Sequence, residues 1–549
     1  MRKMIKPFTA AVLSACLLAC AVPVSAAGPR PLALTVAADT HYQCPEDLGE
    51  MSDVYTEYML EPELYGYAST QGQMNYESGA ILAAMLDSFA ASSSPYLLIA
   101  GDLTCGKRAS HLKFAEYLRD CEKRSGKSIF VINGNHDCDA ESDDRYVGME
   151  EFREIYAEFG YDEALDRHET SASYTADLSD DYRLIALDSC IYGEDDGEIN
   201  ASVFAWLGKS LSAAREDGRT PIVMMHHSIL PHYELQPMLG SWRFFASYLA
   251  DNGVQVVFTG HIHANDVSCA KSLRGNTIYD VQTGALITSP NTYRTAVFDG
   301  GKVDISCNYV TRIDVSLLPD AMSAAQKAAL EADFPAYAYS YFENGVCKWL
   351  NRNVGSMNRL ARWFRLEEGT AVYDSLERVM KKVGAAVGSD IYGGDGSLEA
   401  ALSPFGKEVP PSAYVKPYQV AAKLMYGLFG GESGDSREDT QLLLVCLEGA
   451  VIKALSQEDE DVVRRFARAV VGSAASSEFG TLIVQAAEKT ALALLETLAG
   501  GIVDDYSDPA DLDVALPCEA EKILTLDPVL RLLQLFTELF ERIFSAFGV

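Results

Sequence analysis

Basic residues are scarce in this sequence. Its 549 residues include 45 Lys and Arg against 78 Asp and Glu, which gives a formal net charge of −33 at pH 7. An acidic surface repels polymer phosphates, so we do not expect a partner among nucleic-acid polymers. The charge does not exclude a small anionic substrate that metal ions hold directly.

Paired cysteine motifs are also missing. The twelve cysteines are scattered singly, without a Cys-x-x-Cys pair or a regular spacing. This distribution excludes a zinc-finger protein and a small disulfide-rich scaffold. The sequence does not indicate which cysteines form disulfides.

Beyond the N-terminal segment, the sequence lacks an apolar run of about 20 residues, the length that crosses a membrane. The segment itself, residues 1–26, has the pattern of a signal peptide. Basic residues precede an apolar stretch at 8–21, and small residues surround the cleavage site that we expect after Ala26.

A lipoprotein signal is the alternative, because residues 13–16 and 17–20 look like lipid-attachment boxes ending at Cys16 and Cys20. Both interpretations predict an exported protein, either secreted or attached to the cell surface. A lipid anchor or a peripheral surface contact is therefore a candidate mode of membrane association.

The rest of the chain divides into two predicted domains. Residues 27–315 alternate between short apolar runs and amphipathic segments, which predicts an α/β domain. In residues 316–549 apolar positions recur at helical spacing, which predicts an all-α C-terminal domain. All nine histidines lie within the first 263 residues, so metal chemistry is expected in the first domain.

Five polar clusters each follow directly on an apolar run, at 32–38, 96–100, 129–133, 222–225 and 254–259. We interpret the runs as buried strands. In α/β sheets, chemistry collects just beyond the carboxyl ends of the strands. The sequence thus predicts one crevice lined by Asp39-Thr40-His41, Gly101-Asp102, Gly134-Asn135-His136-Asp137, His226-His227 and Gly260-His261-Ile262-His263.

The residue types in these clusters are metal ligands. Imidazole and carboxylate groups suit Zn, Mn or Fe, and an Asn amide adds a neutral oxygen. The two carboxylate oxygens of Asp102 can bridge a pair of metals. Such a pair polarises a phosphoryl oxygen and holds a hydroxide for in-line attack. The pattern therefore predicts a metal-dependent hydrolase.

In this order, the five clusters resemble those of the calcineurin-like metallophosphoesterase family, and within it the class III cyclic nucleotide phosphodiesterases. The stretches that look closest to Gram-positive members with a helical C-terminal domain are Gly101-Asp102-Leu103-Thr104, Met225-His226-His227, Gly260-His261-Ile262-His263-Ala264 and Thr283-Gly284-Ala285. The resemblance covers residues 32 to about 310.

The resemblance implies a sandwich of two sheets flanked by helices, and a site for two divalent transition metal ions (Mn, Fe or Zn). The first metal would be held by Asp39, His41, Asp102 and His263. The second would be held by Asp102, Asn135, His226 and His261. It further implies that His136 contacts the phosphate and protonates the leaving oxygen, while Asp137 hydrogen-bonds His136.

Two positions depart from the family pattern or stay open. Some relatives carry a Tyr ligand three residues after the bridging Asp, whereas this sequence has Cys105 there, so an iron–tyrosinate site is not supported. His232 follows the His226-His227 pair without an assigned role. His111 and His168 stand outside any motif and are interpreted as surface or core residues.

The leading functional hypothesis is an exported phosphodiesterase of small phosphoesters, with cyclic nucleotides as the first candidates. A phosphomonoesterase with the same site is one alternative. A surface binding protein with a vestigial metal site is another. Selectivity is expected from the tyrosine-rich stretch at 44–76, whose tyrosines either stack on a base or pack within the loop. The sequence does not indicate the oligomeric state.

Overall fold

The computed structural model describes residues 29–48, 72–139, 144–191, 193–233, 236, 238–355, 367–431, 437–499 and 511–518. Its first half contains two mixed sheets with helices against them, and its second half is mostly helical. The predicted two-sheet architecture flanked by helices is thus confirmed.

The first sheet has the strand order β13-β12-β11-β1-β2-β3. Strands β1, β2 and β3 are parallel, and β11, β12 and β13 are antiparallel to their neighbours. The strands are β1 Leu32–Ala37, β2 Tyr96–Ala100, β3 Ser128–Ile132, β11 Thr292–Asp299, β12 Lys302–Tyr309 and β13 Val514–Pro517.

The second sheet has the order β4-β5-β6-β7-β8-β10-β9, with β6, β7, β8 and β10 parallel. Its strands are β4 Asp166–Arg167, β5 Tyr174–Asp177, β6 Tyr182–Leu187, β7 Thr220–Met225, β8 Val256–Thr259, β9 Asp266–Lys271 and β10 Thr277–Gln282. The five predicted strand–cluster junctions lie at the carboxyl ends of β1, β2, β3, β7 and β8.

Both faces of the second sheet are buried, which explains its continuous apolar runs. Successive side chains of a strand point to opposite faces. Ile222 and Met224 of β7 join the core that contains Val36 of the first sheet, whereas Val223 and Met225 join a separate core against the helices. A strand buried on both sides requires apolar residues at consecutive positions.

The helices of the first half are α1 Pro45–Leu48, α2 Ser78–Ala91, α3 Arg108–Ser125, α4 Met149–Ile155, α5 Ala201–Glu216 and α6 Trp242–Asp251. Helices α5 and α6 were not predicted. A signal for α5 was present, since the Asn200 side chain accepts from the Ser202 and Val203 amides as an N-cap. Helix α4 ends at Ile155, and a π-helical turn follows at Ala157–Tyr161.

The second half contains α7 Ala324–Ala332, α8 Phe334–Gly355, α9 Ala371–Ala386, α10 Leu398–Leu402, α11 Pro417–Gly430, α12 Arg437–Leu455, α13 Glu460–Val471 and α14 Phe479–Ala499. Helix α8 joins the two halves. Its residues Tyr337 and Tyr341 pack in the core of the first half, and Phe342 and Val346 pack in the helical core. The sequence also predicts a last helix from Asp527, a good N-cap that is followed by Pro528 in the first turn, and this helix lies outside the described residues.

Among the described residues of 316–549, which are mostly helical as predicted, strand β13 is an exception. Leu516 of β13 pairs with Val303 of β12, so the chain returns from the helical segment to the edge of the first sheet. Buried Arg294 of β11 fixes this return. Its guanidinium donates to the carbonyls of Asp511 at 2.6 Å and Leu512 at 3.4 Å, and to that of Gln282 at 3.0 Å.

No disulfide joins any two of the ten cysteines among the described residues. Within the described part of the chain, no helix combines the length and the apolar character that a membrane crossing requires.

We predict that Arg294→Met destabilises the fold by about 3 kcal/mol, because three carbonyls, two of them in buried residues, lose a charged donor. Urea unfolding measures the change. Arg312→Met is the control, since Arg312 is exposed and its replacement should stay within about 0.5 kcal/mol of the native protein. Equal effects of the two substitutions would contradict the assigned role of Arg294.

Candidate metal centre

Backbone hydrogen bonds between neighbouring strand ends join four of the five polar clusters in two pairs. The amide of Asp39 donates to the Gly101 carbonyl at 3.1 Å, and that of His41 donates to the Asp102 carbonyl at 2.9 Å. The Gly260 amide donates to the His226 carbonyl at 3.0 Å. The loops after β1 and β2 are therefore joined to each other, and so are the loops after β7 and β8, before any side chain is considered.

The donor atoms of the seven predicted ligands converge in two overlapping sets. Around Asp39 and His41, His263 Nε2 lies 3.1 Å from His41 Nε2 and 3.5 Å from Asp39 Oδ1. Around Asn135, its Oδ1 lies 3.0 Å from His226 Nε2 and 3.1 Å from His261 Nδ1.

Asp102 lies between the two sets. Its Oδ2 is 3.5 Å from His41 Nε2 and 3.3 Å from His226 Nε2. Two groups have donor atoms within 4.8 Å of one another and could hold a metal ion: Asp39, His41 and His263, and Asp39, Asp102 and His226. Four imidazoles, two carboxylates and one amide are a donor set that suits Zn, Mn or Fe. The ligand assignment itself stays a prediction.

The ligand-bearing loops adopt a backbone conformation that non-glycine residues rarely adopt. Positive φ angles occur at Asp39 (49°), His41 (36°), Asp102 (49°), His261 (81°) and His263 (61°). Such backbone strain persists only where surrounding contacts impose it, and it concentrates at functional sites.

Two glycines of the clusters are required by close approach. A Cβ at Gly134 would collide with the Asp102 carboxylate, and one at Gly260 would lie 2.6 Å from Asp39 Oδ2. The glycines of the Gly-Asn-His and Gly-His patterns therefore lie where two loops pass close to the Asp102 and Asp39 carboxylates.

Burial and the two carboxylates set the protonation of the site. Burial lowers the pKa of His41 and of His261 to about 3, so both imidazoles are neutral, as metal ligation requires. Burial would also lower the pKa of His226, but the charge of Asp102 raises it to about 9. His226 therefore carries the proton that a bound cation would displace.

His136 lies beside the convergent donors, but its side chain is exposed. Its ring centroid is 5.4 Å from that of His41, and its backbone amide donates to Asp102 Oδ1 at 2.9 Å. Of the nine predicted site residues, His136 alone is exposed, whereas Asn135 and His261 are half-buried and the others are buried.

Asp137 is placed differently from the expectation that it hydrogen-bonds His136. Its buried carboxylate accepts from the backbone amides of Gly134 (2.8 Å), Thr104 (2.9 Å) and Leu103 (3.1 Å). Among the described contacts, none joins this carboxylate to the His136 ring. Asp137 thus ties the third polar cluster to the second, and burial together with the charge of Asp102 raises its pKa to about 7.

His111 supports the same loops, although its sequence context gave no signal. It is fully buried, with Nε2 2.9 Å from Thr104 Oγ1 and 2.9 Å from the Asp137 carbonyl. Its Nδ1 lies 2.7 Å from Tyr156 Oη. The interpretation of His111 as a core histidine holds, and its contacts place it directly behind the second and third clusters.

The remaining residues singled out by sequence occupy distinct positions. The Cys105 thiol lies 4.0 Å from His41 Nδ1, and burial raises its pKa to about 12. Tyr42 packs against Phe114 and Tyr117, and buried Tyr76 donates to the Leu48 carbonyl. The other tyrosines of the 44–76 stretch lie outside the described residues.

A comparison with family models gives one match. The model of the calcineurin-like phosphoesterases matches residues 32–265, which contain all five polar clusters and both groups of convergent donors. Over residues 32–265 the chain is therefore similar to the calcineurin-like phosphoesterases. No curated protein sequence matches the chain.

Several solved structures are similar to the chain, at low identity. A dimetal phosphatase from Danio rerio is 12% identical over 51% of this chain and 96% of that chain, with a TM-score of 0.37. A purple acid phosphatase from yellow lupin (Lupinus luteus) is 11% identical over 51% and 52%, with a TM-score of 0.34. A 5′-nucleotidase precursor from Thermus thermophilus is 15% identical over 57% and 59%, with a TM-score of 0.30. The similarity to the calcineurin-like phosphoesterases rests on the family match over residues 32–265.

His232, which lies in the chain after β7, has a structural role. Its buried ring bonds the Asp266 carboxylate through Nδ1, and its Nε2 lies 3.3 Å from Asp280 Oδ2. Burial would lower the pKa of His232, but the two carboxylates raise it to about 10. Asp280 Oδ2 also accepts from the Ile229 amide at 2.7 Å, so the protonated ring ties the chain after β7 to β9 and β10.

The raised pKa of His232 predicts a pH-dependent contribution to stability. An unfolded histidine titrates at about 6.5, so the stabilisation by His232 is complete below that pH and is lost as pH rises towards 10. The difference in unfolding free energy between the native protein and His232→Asn should shrink over this range, by at most about 1.4 kcal/mol per pH unit. Urea titrations of metal-free protein at pH 6, 8 and 10 measure it, and a difference that grows with pH would refute the assignment.

Proposed function

We propose that this protein is a metal-dependent phosphoesterase that hydrolyses phosphodiesters, with cyclic nucleotides as the first substrates to test. The observation that carries the proposal is the convergence of seven donor groups beside one exposed histidine, His136. A phosphoester held over the buried donors would meet His136 at its exposed edge.

The donor set fits two divalent ions, one near each of the two sets of side chains. When bound, such ions supply Lewis-acid polarisation of a phosphoryl oxygen and a water that is deprotonated near neutral pH. The residues of the chain do the rest. Asp102 holds His41 and His226 on its two sides, while the Asp137 carboxylate fixes the loop that carries Asn135 and His136. His136 would donate a proton to the leaving oxygen.

Charge supports a diester over a monoester. Among the described hydrogen bonds and ion pairs, none brings a Lys or Arg side chain to the nine predicted site residues, so compensation of a phosphate charge falls to the metal ions and His136. A phosphodiester carries one negative charge and a monoester carries up to two. With a net charge of −33 on the whole chain, the singly charged ester is the easier one to bind.

Export is part of the proposal and rests on residues 1–26 alone, which have the pattern of a signal peptide. The substrate would then be met outside the cytoplasm. Mass spectrometry of the N-terminus from the native host distinguishes cleavage after Ala26 from lipid attachment at Cys16 or Cys20.

Substitutions should separate ligands from His136. We expect Asn135→Ala and His261→Ala to lose bound metal together with turnover. His136→Ala should keep its metal and lose a factor of about 100 or more in kcat, the usual contribution of a general acid. Metal content is measured by mass spectrometry and turnover with bis(p-nitrophenyl) phosphate and added Mn²⁺.

The control for this series is His168→Ala, whose ring packs against Trp206 with centroids 6.3 Å apart. It should keep both metal and rate. Undiminished turnover in both ligand variants would contradict the metal centre.

Substrate preference is tested with the native protein reconstituted with Mn²⁺. We expect kcat/KM for bis(p-nitrophenyl) phosphate to exceed that for p-nitrophenyl phosphate, because none of the described contacts brings a Lys or Arg side chain to the predicted site residues to compensate a second phosphate charge. A panel of cyclic nucleotides then tests the finer assignment. A preference for the monoester would replace the diesterase proposal with a phosphomonoesterase.

A further inference from the structure

The helical segment touches the loop that carries two of the predicted ligands. Ile262 and Ala264, which alternate with His261 and His263, form a small apolar cluster with Leu428 of α11, and Phe429 packs against it. The C-terminus of α11, more than 160 residues away in sequence, therefore lies directly on the His261–His263 loop.

Asn265 makes the polar part of this contact. Its backbone amide donates to the Phe429 carbonyl at 3.1 Å, and its side-chain Nδ2 donates to the same carbonyl at 2.9 Å. The last carbonyls of a helix have no partner within the helix. Asn265, which is 1% exposed, supplies two donors to one of them.

The same side chain holds the ligand loop from the other side. Asn265 Oδ1 accepts from the Gly284 amide at 3.0 Å, and Nδ2 also donates to Thr292 Oγ1 at 2.8 Å. The next amide, that of Ala285, donates to the His263 carbonyl at 3.4 Å. Asn265 thus connects the loop, the chain after β10, strand β11 and α11.

The contacts of Asn265 hold a loop, His261–His263, whose backbone is strained. His261 and His263 have φ angles of 81° and 61°, which L-residues adopt only when neighbouring contacts impose them. Gly431, the cap of α11 with φ 72° and ψ 23°, allows the close fit, because a Cβ there would lie 2.7 Å from the Asn265 carbonyl oxygen.

We infer that Asn265 is a positioning residue through which the C-terminus of helix α11 holds His261 and His263 in their metal-ligating conformation. The helical segment is then part of the metal centre's support rather than an independent appendage. This inference rests on the metal centre of the proposed function. Groups that orient metal ligands in this way commonly change metal affinity by about 10- to 100-fold when removed.

The decisive variant lies in the helical segment. Gly431→Ala places a Cβ against the Asn265 carbonyl. Gly406→Ala is its matched control, since Gly406 caps a 3₁₀ turn with φ 70° and ψ 23° and has no atom within 4 Å of a built Cβ. Both substitutions impose the same backbone strain, and only Gly431→Ala presses on the ligand loop.

The primary readout is calorimetric titration of the metal-free proteins with Mn²⁺. We expect Gly431→Ala to bind Mn²⁺ about tenfold more weakly than Gly406→Ala. Excess Mn²⁺ should restore its turnover, which it would not do for a variant that is merely unfolded. Equal Mn²⁺ affinities of the two folded variants would overturn the inference.

Asn265→Ala tests the same contacts from the side of the ligand loop, and it decides whether Asn265 positions the ligands if Gly431→Ala does not fold. Its control is Asn308→Ala on β12, where Nδ2 donates to Thr295 Oγ1 at 3.2 Å and to the Ser306 carbonyl at 3.3 Å. Only Asn265→Ala should weaken Mn²⁺ binding. A native protein that binds Mn²⁺ without hydrolysing esters would refute the proposed function and leave this inference standing, whereas unchanged affinity in Asn265→Ala would refute the inference alone.

Discussion

The Asp102 carboxylate is the group on which the site depends. It is 1% exposed, and an unpaired carboxylate buried to this extent would cost several kcal/mol. Its neighbours offset that cost. His41 and His226 lie on either side of Oδ2, and the His136 amide donates to Oδ1. Each of these neighbours belongs to a different strand-end loop. The interactions that stabilise the Asp102 charge therefore also hold three loops together.

Asp39 and Asp137 are buried near Asp102, and the three carboxylates are stabilised by different means. The hydrogen bond to His263 lowers the pKa of Asp39 against its burial, whereas Asp137 relies on three backbone amides and keeps a raised pKa. Two buried anions beside histidines form a site that attracts positive charge. Bound divalent cations are usually the largest local charges in such sites, and they would stabilise both carboxylates further.

The site could be predicted where its chemistry is local in sequence. Each proposed ligand follows an apolar strand within four residues, and the order of the clusters along the chain is visible without knowledge of the fold. The supporting contacts were not accessible in the same way. Asn265 meets a backbone carbonyl of Phe429, and a backbone carbonyl leaves no residue signature at a separation of 164 positions.

Other differences have equally specific causes. The partners of Asp137 are backbone amides, which have no side-chain signature in the sequence, whereas the family resemblance implied a bond to His136. Strand β13 is four residues long and pairs with β12 only after the whole helical segment has intervened, so neither its length nor its pattern marks it as part of a sheet. Tertiary pairing over such distances overrides local preference.

The return of the chain through β13 determines how the helical segment is attached to the rest of the structure. It enters from the core of the first half through α8 and leaves through a strand of the same half, so it is held at both ends. A domain held by a single linker can swing and twist freely, whereas one held at two separated points can turn only about the line that joins them. The contact between Asn265 and the Phe429 carbonyl adds a third attachment, so motion of the helices relative to the sheets is further restricted.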